Sequence, residues 1–154
     1  MNSKNSEHQL LDYNQITEQI FIGTNACCQT HFEKELLAKG MRADISLEEH
    51  HLDAPYGVEY FLWLPTKDHR PPSPRQLKLG VKALQDLVEE SIKVYVHCHN
   101  GHGRAPTLVA AFFISQGQTV DEAIKLIHEK RPVIHPEQSQ IEALRDFAEL
   151  EKYS

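Results

Sequence analysis

Cysteine is scarce in this 154-residue chain: Cys27, Cys28 and Cys98 are the whole complement. An odd number with two adjacent excludes a disulfide framework as the source of stability. Long apolar runs are also missing. The longest, Leu108 to Ile114, has seven residues, far short of the roughly 18 that span a bilayer. The opening MNSKNSEHQL has no apolar centre of the kind a signal peptide needs. These absences lead to the expectation of a cytoplasmic protein with reduced thiols and no membrane partner. An excess of positive charge is lacking too. The formal net charge is −6, which argues against general binding of nucleic acid, because phosphate-neutralising charge is absent. No repeat, low-complexity tract or linker divides the chain, and its length suits one domain with a real core. The expected organisation is a flexible polar arm over 1–12 and a single domain over 13–154.

What is present reads as strands mixed with helices. Ile16 to Ile22 suits one or two short strands ending at Gly23. HFEKELLAK, residues 31–39, reads as a short helix stopped by Gly40. Strands are expected over Ala43 to Leu47, Val58 to Leu64 and Lys93 to Val96. Asp44 is unusual in a strand and is expected on an exposed face. PTKDHRPPS, residues 65–73, is a proline-rich loop that ends on a good N-cap, Ser73, before Pro74 at the first helical position. Leu77, Val81, Leu84 and Val88 then recur at helical spacing. Thr107 to Ser115 is apolar on every side, so its helix belongs in the centre. Thr119 with Glu122 forms a capping box for a helix that stops before Pro132. A last helix begins near Pro136. The later βαβ order argues for an α/β sheet with helices packed on its faces.

The chemistry concentrates in HCHNGHGRAPT, residues 97–107. This polar stretch lies between a buried strand and a buried helix, where α/β folds place anion sites. Gly101 and Gly103 let the backbone curl so that successive N–H groups face inward. The helix beginning near Arg104 adds free N–H groups and the positive end of its dipole. The Arg104 guanidinium offers a planar fork for two phosphate oxygens. Cys98 sits at the base of the same cup, where those groups favour a thiolate. The cup thus binds an electrophile of phosphate shape and activates a nucleophile beneath it.

This stretch resembles the cysteine loop of the dual-specificity branch of the protein tyrosine phosphatase superfamily: histidine, cysteine, five residues, arginine. The resemblance runs from about Ile16 to Phe147. It implies an α/β fold whose central, mostly parallel sheet of about five strands is flanked by helices on both faces. It also implies a phosphomonoesterase working through a phosphocysteine intermediate. The implied catalytic residues are Cys98 as nucleophile, Arg104 as oxyanion clamp and Asp68 in WLPTKDHRPP as general acid. The implied phosphate-binding loop is His99, Asn100, Gly101, His102, Gly103 and Arg104. His97 would support the loop. Gln140, with Gln138 as second choice, would orient water. The acid is needed on chemical grounds as well, because an alkoxide or phenoxide leaves poorly unless protonated. Glu48 and Asp53 are the fallback carboxylates. No cofactor or metal is implied. The partner would be a phosphorylated protein or another phosphomonoester. Ala105 departs from the pattern, since most members have Ser or Thr there to help sulfur leave. Plant glucan phosphatases of this branch share the arginine-alanine-proline sequence, which keeps a phosphorylated glucan among the substrates, with small phosphorylated metabolites.

Other readings stand beside this one. A phosphate-reading module with little turnover would fit Ala105, although binding alone requires neither Cys98 nor Asp68. His97, Cys98, His99 and His102 are metal-ligand types, but ligands so closely spaced rarely converge on one ion. His99 and His102 are otherwise rim residues facing solvent, and Arg70 an exposed cation. Cys27 and Cys28 are expected to be partly buried hydrophobes, with a redox role as the alternative.

Overall fold

The computed structural model describes residues 10–153, so most of the expected N-terminal arm lies outside the described residues. Five strands form one sheet: β1 (Tyr13–Gln15), β2 (Ile20–Gly23), β3 (Met41–Ser46), β4 (Tyr60–Trp63) and β5 (Lys93–His97), in the order β1-β2-β5-β3-β4. β1 pairs antiparallel to β2, and every other pairing is parallel. The α/β architecture expected from the sequence is therefore present. The Ile16 to Ile22 region holds one strand, β2; β1 lies just upstream, and the turn between them is closed by the Thr17 hydroxyl, which accepts from the Gln19 and Ile20 N–H groups.

Alternation along the strands assigns the two faces. Ile20, Ile22, Ala43, Ile45, Val94 and Val96 point into the larger core, under helices α2 (Pro74–Glu89), α3 (Arg104–Ser115), α4 (Val120–Lys130) and α5 (Gln138–Glu151). Phe21, Met41 and Tyr95 point the other way, under α1 (Lys34–Ala38) and a 3-10 turn over Asn25–Cys28. Helix α1 starts three residues later than the sequence pattern suggests. The Phe32 and Glu33 N–H groups are already used by the Tyr56 and Cys27 carbonyls.

α3 is central because Leu108 to Ile114 make its surface apolar all round. Residues 104–114 are buried, and the helix packs on α2, α4, α5, β2 and β5. α2 approaches it at Gly80, where an added Cβ would stand 2.6 Å from Leu108 Cδ1. Truncating the fully buried Leu108 to Ala would cost about 2–5 kcal/mol. Ser73 and Thr119 form the two expected capping boxes. A third, from Glu137 and Gln140, opens α5.

Asp44 corrects its sequence expectation. It faces the smaller-core side of the sheet, which is covered rather than open, and it is fully buried. Its carboxylate lies 3.0 Å from His97 Nε2. Cys27 and Cys28 are likewise fully buried, and they are joined to each other.

Candidate active site

β5 ends at His97 and α3 begins at Arg104, and the loop between them is the expected cup. Its carbonyl groups are all engaged by the scaffold. The His99 carbonyl accepts from Asn25 N–H, and the His102 carbonyl from His135 N–H. The Asn100 and Gly101 carbonyls accept from the Arg131 guanidinium at 2.9 and 3.0 Å. The Gly103 carbonyl takes the Thr107 N–H and hydroxyl. In a trans peptide the C=O and the next N–H point in opposite directions, and the described chain has no cis bond. Turning the carbonyls outward therefore turns the N–H groups of residues 100–104 toward the cup. Gly101 is required twice over, by its φ of 71° and by the Gly23 carbonyl oxygen 2.7 Å from where a Cβ would stand.

Cys98 is buried at the base of the cup as a free thiol. Arg104 is held below the rim. Its Nη1 donates to the Thr66 carbonyl at 2.9 Å and lies 3.6 Å from Glu48 Oε1, while its Nη2 lies 3.4 Å from Asp68 Oδ1. Asp68 is 61% exposed. It lines the same cavity, of about 140 Å3, as Cys98, His99, Asn100, Gly103 and Arg104. The structure thus brings together the expected nucleophile, clamp and acid. Of the fallback carboxylates, Glu48 is buried beside Arg104, whereas Asp53 is buried against His97.

The supporting residues separate. Gln140 is fully buried and lines the cavity. Its Oε1 accepts from Glu137 N–H and its Nε2 donates to the Arg70 carbonyl. Gln138 is exposed and reaches only Glu142. His97 is fully buried, with Nε2 2.7 Å from Asp53 Oδ2. The two carboxylates beside it push its pKa well above the ordinary histidine value, against the opposing effect of burial. His99 is half exposed, 3.5 Å from Glu48. His102 packs against His135 with ring centroids 5.0 Å apart. Burial, His135 and Arg131 lower its pKa. Arg70 is exposed, as expected. His97, Cys98, His99 and His102 do not converge on one point: His97 faces the smaller core, whereas Cys98, His99 and His102 line the cup.

Two features are absent from the sequence reading. Arg131 is fully buried behind the loop and also binds Asn14 and Asp12. No local pattern marks it, because its partners are remote in sequence. The acid loop is tied to the start of α5: His69 pairs with Glu137 at 3.0 Å, the Ser139 hydroxyl donates to the His69 carbonyl, and Gln140 holds Arg70. His69 adopts a φ of 64°, a left-handed conformation that turns the chain at the acid.

A cysteine, an arginine and inward amides at the carboxyl end of a central parallel strand define the class of cysteine-based phosphatase folds. Residues 20–149 match the family profile "Dual specificity phosphatase, catalytic domain", and the chain belongs to that family. Protein tyrosine phosphatase domain-containing protein 1 of Danio rerio is 32% identical over 91 residues, 58% of this chain and 13% of that protein. Phosphatidylglycerophosphatase and protein-tyrosine phosphatase 1 of Homo sapiens is 38% identical over 55 residues, 35% of this chain and 27% of that protein. The chain thus spans a small part of the length of these relatives. Among solved structures, PTPMT1 aligns with a TM-score of 0.78 at 25% identity, covering 92% of this chain and 97% of that one. Tk-PTP in its active form aligns at 0.71 and 29% identity, covering 89% and 96%. Among the described residues, no helix is long and apolar enough to cross a membrane.

Proposed function

We propose that this protein is a cysteine-dependent phosphomonoesterase. The observation that carries the reading is the placement of Cys98, Arg104 and Asp68 on the walls of one cavity. Cys98 sulfur attacks phosphorus while the bond to the ester oxygen breaks, and Asp68 gives that oxygen its proton. Arg104 and the amides of the loop hold the three remaining oxygens as charge develops on them. Water then attacks the phosphocysteine, Asp68 takes a proton back, and inorganic phosphate leaves with the thiolate restored. Gln140 borders the cup and orients that water. No step needs a metal, because the cup already supplies fixed dipoles and a cation where charge develops.

The cup is small and open-sided, with Asp68 well exposed at its lip. That geometry favours phosphoserine, phosphothreonine and sugar phosphates as well as phosphotyrosine. A phosphate-reading module without turnover is not favoured, since binding alone has no use for a buried thiol facing an acid. The decisive experiment compares wild type with Cys98→Ser on an aryl phosphate and on a panel of phosphopeptides, a phosphoglucan and phosphatidylglycerophosphate. Wild type should release phosphate and give an acid-trapped phosphoprotein. Cys98→Ser should do neither while still binding vanadate. Equal turnover by the two proteins would overturn the mechanism.

A further inference from the structure

The smaller core holds a second cluster of reactive side chains, on the opposite side of His97 from the cup. Cys27, Cys28, Asp44, Asp53 and His97 are all buried, and one ligand-type atom from each lies within 4.8 Å of every other. They come from the 3-10 turn, β3, the loop after it and the end of β5. His97 Nε2 stands 2.7 Å from Asp53 Oδ2, 3.0 Å from Asp44 Oδ1 and 3.7 Å from Cys28 Sγ. A single Nε2–H serves one carboxylate, and the shorter contact takes it. Apart from His97 and Asp53, no described residue offers the fully buried Asp44 carboxylate a hydrogen bond. Two buried carboxylates, Asp44 and Asp53, face the one imidazolium of His97, so the cluster is short of positive charge when both are ionised.

We infer that Cys27, Cys28, His97 and Asp44 form a binding site for a divalent cation of the zinc type, with Asp53 beside it. Two sulfurs, an imidazole nitrogen and a carboxylate oxygen are the donor set that such a borderline cation takes. With Zn–N about 2.0 Å and Zn–S about 2.3 Å, tetrahedral donors stand about 3.3–3.8 Å apart. The His97 to Cys28 separation already lies in that range, and the carboxylate contact opens slightly when a metal replaces the proton. His97 Nδ1 lies 3.4 Å from the Cys98 carbonyl oxygen, the second contact that fixes a ligating imidazole. The metal would thereby anchor the residue immediately before the nucleophile.

The site exists in the thiol form of the Cys27–Cys28 pair. A dithiol reductant supplies two electrons and two protons, converting the S–S bond to two thiols and leaving as its own disulfide. The cation then displaces both thiol protons and the Nε2 proton to solvent. In the joined form the sulfurs are bonded to each other, so binding is redox-gated.

The test uses Cys98→Ser protein, in which Cys27 and Cys28 are the only sulfhydryl residues, so its outcome is independent of the phosphatase reading. After reduction and removal of the reductant without oxygen, cobalt(II) titration should give thiolate charge-transfer absorption saturating at one equivalent. Zinc should displace the cobalt and raise the melting temperature. Asp44→Asn and Cys28→Ser, checked for folding by circular dichroism, should weaken binding more than about tenfold. A variant lacking both rim histidines, His99 and His102, should bind as the parent does. If Cys28→Ser does not fold, the parent titration and Asp44→Asn decide. Absence of the thiolate band in the reduced parent, or a band unchanged in Asp44→Asn, would overturn the site.

Discussion

The Thr107 hydroxyl donates to the Gly103 carbonyl oxygen at 2.7 Å, one helical turn back. A hydroxyl has one proton, so Thr107 has none left for the Cys98 sulfur. Ala105, buried in the same core cluster as Cys98, has none either. Hydrogen bonds to charged groups are worth about 1.5–3 kcal/mol, so expulsion of the thiolate should be roughly ten- to a hundredfold slower than with a serine at this place. Rapid mixing with a chromogenic ester should show a burst near one equivalent of enzyme. Ala105→Ser should raise the steady rate and shrink the burst. No burst, together with an unchanged rate in Ala105→Ser, would remove any kinetic meaning from Ala105.

The tie between the acid loop and α5 makes a graded prediction. Asp68→Asn should slow esters with poor leaving groups about 10²- to 10⁴-fold and affect good ones far less. Glu137→Gln weakens the His69 pairing without touching Asp68. It should give a smaller loss with the same dependence on leaving group, and unchanged vanadate affinity. Equal losses across the ester series would show that the tie does not serve the acid.

Arg131 is the back wall of the cup. Arg131→Met removes the guanidinium donors to the Asn100 and Gly101 carbonyls, and an unsatisfied carbonyl at the buried Gly101 costs about 1–3 kcal/mol. The loop peptides then lose the pull that turns their amides inward. Urea unfolding should show the destabilisation, and vanadate titration of the still-folded fraction should show weakened binding. Full vanadate affinity in Arg131→Met would refute its role in shaping the loop.

His102 supplies a pH dependence. Its folded pKa is lowered from 6.5 by burial, His135 and Arg131, so the folded state binds this proton less readily than the unfolded chain. The contribution is fully present above the unfolded value and is lost as pH falls through the folded one. Between about pH 7.5 and about pH 5.5, wild type should therefore lose more stability than His102→Gln, read as the shift in urea midpoint. Parallel losses would show that His102 titrates normally.

The parts of this protein that were legible in the sequence are local. The cup occupies one continuous loop, and its cysteine, glycines and arginine have chemical meaning at that spacing. Caps at Ser73 and Thr119 act within one helical turn, and strand alternation separates Phe21 from Ile20 and Ile22. Asp44 shows the limit: alternation places it opposite Ala43 and Ile45, but whether that face meets water depends on the distant 3-10 turn and α1. Arg131 and the His69–Glu137 pair depend on contacts between segments far apart in the chain, which no local pattern encodes.

The Arg131 guanidinium joins Asp12 across 119 positions while gripping Asn100 and Gly101. Closing so long a loop is entropically costly and comes late relative to forming the individual helices. A nascent chain has already exposed Cys98 when Arg131 has yet to emerge from the ribosome. During that interval the thiol has no finished anion cradle above it, so the reactive form of the residue matures together with the domain. On the proposed mechanism, chemical competence is thereby tied to completion of folding, because an unfinished chain lacks the cradle that would hold phosphate over Cys98.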